Sequence, residues 1–357
     1  MSLIDKRVRL PALVVAVITL AFLSGLVGGA LSAPKLPPVG AGPLAVSAAR
    51  AATEWRPLSG EFRTHLDLGI PALPDTGGAD VGGLAQLLSG DREFRLWRSR
   101  DGFRIAEMLP AAERAFIVGR SGAWTWDSEK FEATHVSVDG AASKDKWPVG
   151  AVPQDRRPLQ FLGAIARRFQ GTDSTVRQPE RVAGRPAYVI VTEPDDPKTL
   201  VGRVEMAVDS ATRTPLAVDV YPRGSGTPAI SAGFTDIDFG PIDPSTFDFE
   251  PPSGAIVREG GHGQGVSRRD ADGSGRRRDD AGEGKQGALV GEIRKLGRGW
   301  SQILAVRVDE LPARTRSLLP FSGTLLSAAL VERGDDAWLL TGAVPQDEIR
   351  AAATKLP

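Results

Sequence analysis

The sequence predicts a mainly β fold with α: a curled antiparallel sheet of about eleven strands with one helix against it, then a small α+β module. Three observations support this class. Short segments rich in β-branched and aromatic residues follow one another between turn signals over most of residues 58–239. One amphipathic helix interrupts them at 157–170. A polar stretch, 258–287, then separates the sheet from residues 288–357.

The predicted strands follow one another in chain order. A short Ala-rich helix at 44–54 precedes them. The strands are 58–70, then a meander at 92–99, 103–109, 115–118, 123–126 and 132–138, then 175–182, 186–192, 200–208, 216–221 and 231–239. Because most strands are joined to a sequence neighbour by a short turn, we expect antiparallel pairing. A sheet of this size curls, and a curled sheet with a helix against it has a concave apolar interior.

The helix at 157–170 carries one apolar stripe. Pro158 is acceptable in its first turn and Gly171 is a natural stop. The stripe consists of Leu159, Leu162, Ile165, Ala166 and Phe169. A helix packed permanently on the sheet and a lid that opens for a ligand both need this stripe, so the pattern does not separate the two.

The amino terminus predicts export. Lys6, Arg7 and Arg9 precede an uncharged stretch at 10–34, and about 20 apolar residues suffice to span a bilayer. The small residues at 30–33 resemble a signal-peptide cleavage site, but Pro34 follows them, so we favour an uncleaved anchor over 1–34. The basic flank would hold the amino terminus inside and place the bulk of the chain in the extracytoplasmic space. A Pro- and Gly-rich linker is predicted at 35–43.

Composition excludes several classes of function. Lys+Arg and Asp+Glu are both 44, so no global field favours nucleic acid, and none is expected as a partner. The chain has no cysteine, which excludes disulfides, thiol catalysis, cysteine zinc sites and a lipid-modified cysteine.

The carboxyl-terminal part divides into a linker and a module. Residues 258–287 mix Gly with Arg and Asp and are predicted to be a disordered, solvated linker. In the module at 288–357 we expect strands at 300–308, 324–332 and 337–342 and helices at 310–318 and 347–355. No function is evident in this module.

Few residues suggest catalysis or metal binding. His65, His135 and His262 have no evident third ligand, so exposed or satisfied structural histidines are the preferred interpretation. Glu193, Asp195 and Asp196 lie in an acidic loop before Pro197, which a solvated turn explains better than paired carboxylates or a calcium site. With no nucleophile and base pair in view, we expect no enzyme, no metal and no cofactor.

Six groups of residues, taken together, resemble the LolA-like superfamily of lipoprotein carriers, which includes sigma-factor regulators of the RseB (MucB) type. They cover about 44–257. In chain order they are Ser59-Gly60-Glu61-Phe62, Trp124-Thr125-Trp126-Asp127-Ser128, Val182-Ala183-Gly184-Arg185-Pro186-Ala187-Tyr188, Met206-Ala207-Val208-Asp209 with Thr214-Pro215-Leu216, Gly233-Phe234-Thr235, and Phe247-Asp248-Phe249-Glu250-Pro251-Pro252-Ser253-Gly254.

The resemblance implies a half-open β-barrel with a helical lid that binds acyl chains or a lipidated protein, without catalysis. Lipid or lipoprotein trafficking at the cell envelope is therefore the expected function, with the membrane as a second partner through the amino-terminal helix. An envelope-stress sensor that regulates a membrane anti-sigma factor is the alternative. The candidate lipid-binding residues come from the meander and the helix: Phe94, Leu96, Phe103, Ile105, Trp124, Trp126, Leu159, Leu162, Ile165 and Phe169. Alternation does not tell which face of the sheet points inward.

Overall fold

A computed structural model describes residues 33–69, 89–137, 162–163, 165–166, 173–259, 292–308, 316, 319–334 and 336–356. The predicted anchor at 1–34 therefore lies almost entirely outside the described residues, as do nearly all of the predicted linker at 258–287 and most of the helices at 157–170 and 310–318. Within the described part of the chain, no helix is long and apolar enough to cross a membrane.

The described helices and strands form two sheets. The large sheet contains β1 Leu58–Asp67, β2 Ser89–Arg98, β3 Phe103–Met108, β4 Glu113–Gly119, β5 Gly122–Asp127, β6 Glu132–Val136, β7 Ser174–Val182, β8 Arg185–Thr192, β9 Val201–Asp209, β10 Pro215–Pro222, β11 Ile230–Asp238 and β12 Ile256–Glu259. The small sheet contains β13 Ile293–Leu296, β14 Ile303–Val308, β15 Phe321–Ser322, β16 Ser327–Arg333 and β17 Asp336–Gly342. Two α-helices flank them, α1 Ala41–Thr53 and α2 Gln346–Ala353.

The large sheet is a curled, open half-barrel of twelve strands, in the order β12-β6-β5-β4-β3-β2-β1-β11-β10-β9-β8-β7. Two meanders, β2 to β6 and β7 to β11, meet at the central pair β1 and β11. All neighbouring pairs are antiparallel except β12, which runs parallel to β6. The predicted mainly β fold with a curled antiparallel sheet is confirmed, with β12 as a strand that the sequence did not indicate.

The helix α1 packs on the sheet and begins at Ala41, three residues before its predicted start at Leu44. Alanines dominate the helix, and alanine loses no side-chain entropy on helix formation. Leu44, Ala45 and Ala48 are buried in the main core. The extended residues before α1 contact the same core, and the Tyr188 hydroxyl donates to the Pro37 carbonyl at 3.0 Å.

The turn from β9 to β10 is organised by a buried carboxylate, Asp209. This side chain is 0% exposed and accepts Arg185 Nε at 2.6 Å. It also accepts the main-chain N–H groups of Ala211 at 3.2 Å and Thr212 at 2.6 Å. The carboxylate therefore closes the turn and ties it to β8, where Arg185 lies.

The small sheet has the order β13-β14-β17-β16-β15. The helix α2 packs on one face of it, where Trp338, Leu340 and Ile349 are buried together. Main-chain hydrogen bonds join the small sheet to the large one: Leu200 N–H donates to the Ala343 carbonyl at 2.8 Å, and Thr324 N–H donates to the Leu68 carbonyl at 3.1 Å. The predicted α+β character of this part is present, with β13 and β15 as additional strands.

Candidate functional site

The inner face of the large sheet is the face that packs against α1 and against the helical residues 162–163 and 165–166, here called the cover helix. In β2 and β3, strand register sets Leu96 opposite Ile105. Ile105 in turn faces Phe116 of β4. Directly opposed residues share a face in an antiparallel sheet, so an apolar row crosses the first meander.

Four of the predicted site residues, Phe94, Leu96, Phe103 and Ile105, lie on this inner face. Leu96, Phe103 and Ile105 are buried, whereas Phe94 is half-buried at its margin. The structure therefore brings together the residues that the sequence assigned to β2 and β3.

The cover helix contacts the same cluster. Leu162 and Ala166, four residues apart and hence on one helix face, are both 0% exposed. Ile165 is half-buried against the cluster. Two further members of the predicted stripe, Leu159 and Phe169, lie outside the described residues.

The second meander extends the inner face beyond the predicted set. Ile190, Met206 and Val218 are each 0% exposed within the same cluster. At the central pair, the rings of Phe62 and Phe234 meet edge to face with centroids 5.1 Å apart. Sequence reasoning did not assign these residues to the site, although the position of Phe62 between Glu61 and Arg63 in β1 was a usable signal of alternation.

Trp124 and Trp126 lie on the opposite, outer face. Register sets Trp124 beside Ile117 and Trp126 beside Ala115. Phe116, which lies between Ala115 and Ile117 in β4, points inward instead. The tryptophans belong to an outer cluster with Ile117, Ala106, Ala115 and Ala133. The structure thus does not place them with the other predicted site residues.

The segment 244–255 covers the outer cluster. Phe249 contacts both tryptophan rings, with centroids 5.5 Å from Trp124 and 5.9 Å from Trp126. Phe247 is 1% exposed, and a side chain at Gly102 would collide with it. The aromatic doublet is therefore packed beneath a segment of its own chain.

A basic side chain, Arg98, is buried on the inner face. Phe94, Leu96 and Arg98 occupy alternate positions of β2, and register sets Arg98 beside Leu58 and Phe103. Arg98 is 7% exposed, and none of the described residues offers its Nε a hydrogen-bond partner. The guanidinium lies 5.8 Å from the ring centroid of Trp55. Sequence reasoning did not single out this residue.

A half-open depression of about 190 Å³ lies near the centre of the sheet. Phe62, Phe94, Met108 and Thr235 contribute to it, and its charged lining residues are Glu61, Arg63, Glu93 and Arg95. These charges form two ion pairs, Arg63 with Glu93, and Glu61 with Arg95 at 3.5 Å. The four charged side chains of the lining are therefore paired with one another.

The two described histidines make contacts between strands. His65 Nδ1 lies 2.8 Å from a carboxylate oxygen of Asp91. His135 stacks on Trp124 at 4.2 Å and lies 3.0 Å from Glu259 of β12. In the acidic loop, Asp196 accepts the main-chain N–H of Lys198 at 3.0 Å, which is a turn contact. Over the described ranges, no group of three or more potential metal ligands comes together.

Comparison with known proteins gives matches among solved structures only. No family model matches, and no curated protein matches. A chain of the Pseudomonas aeruginosa MucA/MucB complex is 14% identical, with a TM-score of 0.44, and the match covers 88% of this chain and 96% of that one. MucB in complex with MucA(peri) is 13% identical with the same coverage and TM-score.

A LolA superfamily protein from Nitrosomonas europaea is 10% identical, with a TM-score of 0.20, and the match covers 59% of this chain and 98% of that one. All three TM-scores lie below 0.5, so the description of the fold rests on the strand order and register given above. These matches are likenesses to solved structures of MucB and of a LolA superfamily protein.

Proposed function

We propose that this protein binds an acyl chain, carried by a lipid or a lipidated protein, between the inner face of the large sheet and the cover helix. The observation that carries the proposal is the continuous apolar inner face of an open, curled sheet, which packs against α1 and the cover helix. A helix that covers a sheet through a few side chains can be displaced at less cost than a packed sheet.

Exchange of contacts gives the physical basis for binding. Leu162 and Ala166 are removed from water when the cover helix is closed. Opening the helix exposes apolar surface at about 25 cal/mol per Å², and a hydrocarbon chain that takes its place restores that burial. Phe94 and Ile165, both half-buried at the margin of the cluster, would be the first side chains to meet an entering chain.

The proposed location follows from the sequence. The basic residues Lys6, Arg7 and Arg9 and the uncharged stretch at 10–34 support an amino-terminal membrane anchor with the binding domain outside the cytoplasm. An anchored binder would receive its ligand from the adjacent membrane. We propose no catalytic step, because the inner face offers hydrocarbon and aromatic contacts.

Photochemical labelling tests this proposal. The full-length chain is produced in cells fed a palmitate analogue with a diazirine in its alkyl chain, irradiated and mapped by peptide mass spectrometry. We expect labelled peptides from β2, β3 and 162–166, and none from 244–255. Phe94→Ser should reduce labelling about tenfold, since burial of an aromatic side chain contributes about 1.5–3 kcal/mol.

Trp97 supplies a matched control. It is also aromatic and half-buried on β2, but it packs against the outer cluster. Trp97→Ser should leave labelling unchanged while both variants keep a cooperative melting transition. Labelling confined to the outer face, or equal labelling of wild type and Phe94→Ser, would contradict the proposal.

Regulation of an anti-sigma factor, the alternative function that the sequence resemblance implies, makes a different prediction. A chemical cross-linker applied to intact cells would then capture a membrane-spanning protein on this chain, with or without the fatty-acid analogue. Capture without any acyl labelling would favour the regulatory alternative.

A further inference from the structure

A buried positive charge on an apolar surface needs an explanation in terms of a partner. Arg98 is 7% exposed, and its buried Nε has no hydrogen-bond partner within the described part of the chain. No carboxylate among the described residues forms a salt bridge with it. Such groups are rarely retained inside proteins without an anion, because removal of a charge from water is costly.

The surroundings of Arg98 supply aromatic and cationic groups. The Trp55 ring, 5.8 Å from the guanidinium carbon, gives a cation–π contact that is weaker than the hydration Arg98 loses. Burial and the positive charge of Arg56 lower the pKa of Arg98 to about 10. Among the described residues, the ion-pair contact of Arg56 is a long one of 3.9 Å, to Glu54. Two cations thus lie near each other at one end of the inner face.

We propose that Arg98, assisted by the charge of Arg56, binds an oxyanion at the polar end of the ligand, a carboxylate or a phosphate. This inference rests on the proposed acyl-binding function and adds the chemical class of the ligand's head. Arg98 shares its face with Phe94 and Leu96. Alternate residues of a strand are about 6.6 Å apart, so an acyl chain lying along β2 from Phe94 would bring its head to Arg98.

The guanidinium is suited to this role. It offers several N–H donors in one plane and matches the geometry of carboxylate and phosphate oxygens. An oxyanion at this position would accept hydrogen bonds from the terminal guanidinium nitrogens and offset the repulsion between Arg98 and Arg56. Trp55 would remain in its contact with the guanidinium, 5.8 Å from ring centroid to guanidinium carbon.

Paired competitors that differ only in charge test the inference. The purified full-length chain, held in an amphipathic polymer, is labelled with a photoreactive alkyl methyl ester, which has no charge. Each competitor is added separately to displace this label. Palmitate is compared with methyl palmitate, and a monoacylglycerol phosphate is compared with the monoacylglycerol of the same chain length. We expect each anion to compete at about tenfold lower concentration than its neutral partner, as a charge-assisted hydrogen bond gives.

Arg98→Met should abolish this difference while the ester still labels the protein. Arg95→Met is the matched control, because Arg95 lies on the same strand, faces the outer side and is 51% exposed; it should keep the preference for anions. Arg98→Lys, which retains the charge, should keep a reduced preference and serves in place of the Met variant if that variant loses its cooperative melting transition. In the wild type, the competitor pair with the larger difference in competing concentration identifies the head group of the ligand as a carboxylate or a phosphate.

The possible failures are distinguishable. If the ester labels the inner face but anions and neutral competitors act equally, or if Arg98→Met leaves the preference intact, the oxyanion site is refuted and acyl binding stands. If neither ester nor anion labels the inner face or competes there, acyl binding itself fails and the inference fails with it.

Discussion

Whether the cover helix opens can be tested with two leucines that are equally buried in one core. Leu162 of the cover helix is 0% exposed and Leu96 of β2 is 1% exposed, and both belong to the inner-face cluster. Truncation of a fully buried leucine to alanine costs about 2–5 kcal/mol, through lost contacts and the cavity that remains. Leu96 is held between β1 and β3, so Leu96→Ala should lower the free energy of unfolding by about 3 kcal/mol.

Leu162→Ala should behave differently if the helix opens independently. The substitution then cannot lower the free energy of unfolding by more than the free energy with which the helix docks on the sheet. We therefore expect Leu162→Ala to lower the free energy of unfolding by about 1 kcal/mol or less. Urea unfolding followed by tryptophan fluorescence measures both losses. Amide exchange should show faster opening confined to the cover helix in Leu162→Ala.

Equal losses of unfolding free energy in the two variants would refute this reasoning. Such a result, with equal amide protection in the helix and in β2, would mean that the cover helix is a fixed wall of the core. Addition of palmitate should slow exchange in the cover helix of the wild type if opening is coupled to occupancy.

Two further predictions concern the turn at Asp209 and the orientation of the chain. Burial favours the neutral form of Asp209, but hydrogen bonds from Arg185 and Thr212 outweigh it and hold the pKa below its usual value. Asp209→Asn should therefore cost about 3 kcal/mol at neutral pH. The difference in unfolding free energy between wild type and Asp209→Asn should shrink as pH falls below about 4, because the carboxyl of the unfolded wild type then binds a proton that the folded one resists. Urea titrations that show the same difference at every pH would contradict this reasoning. Protease added to intact protoplasts should cleave the chain beyond Pro34, whereas complete protection would show that the predicted export is wrong.

The two meanders were predictable because their signals are local. Each of β2 to β6 combines β-branched or aromatic residues with a short polar turn, and such turns pair neighbours. Strand β12 gave no comparable signal, since its four residues are all exposed. Its partner β6 ends more than 100 residues earlier in the chain, as the pairing of His135 with Glu259, 124 residues apart, illustrates.

The candidate site was predictable in part. Alternation correctly grouped Phe94 with Leu96 and Trp124 with Trp126, but it cannot tell which group points inward. The segment that covers the tryptophans, 244–255, reaches the outer cluster through tertiary packing alone. Arg98 continues the alternation of Phe94 and Leu96, so the sequence could have placed it on their face, whereas the absence of a salt bridge to it among the described residues could not have been deduced.

The placement of β1 at the centre of the large sheet affects how the chain folds during synthesis. β1 pairs with β2 nearby and with β11 far along the chain, as the contact between Thr235 and Glu61, 174 residues apart, shows. Strand β1 and the first meander can pair as soon as they emerge, but the outer edges of this partial sheet, β1 and β6, keep free backbone groups until β11 and β12 arrive. High contact order of this kind slows folding, so the half-formed sheet is the species most exposed to aggregation.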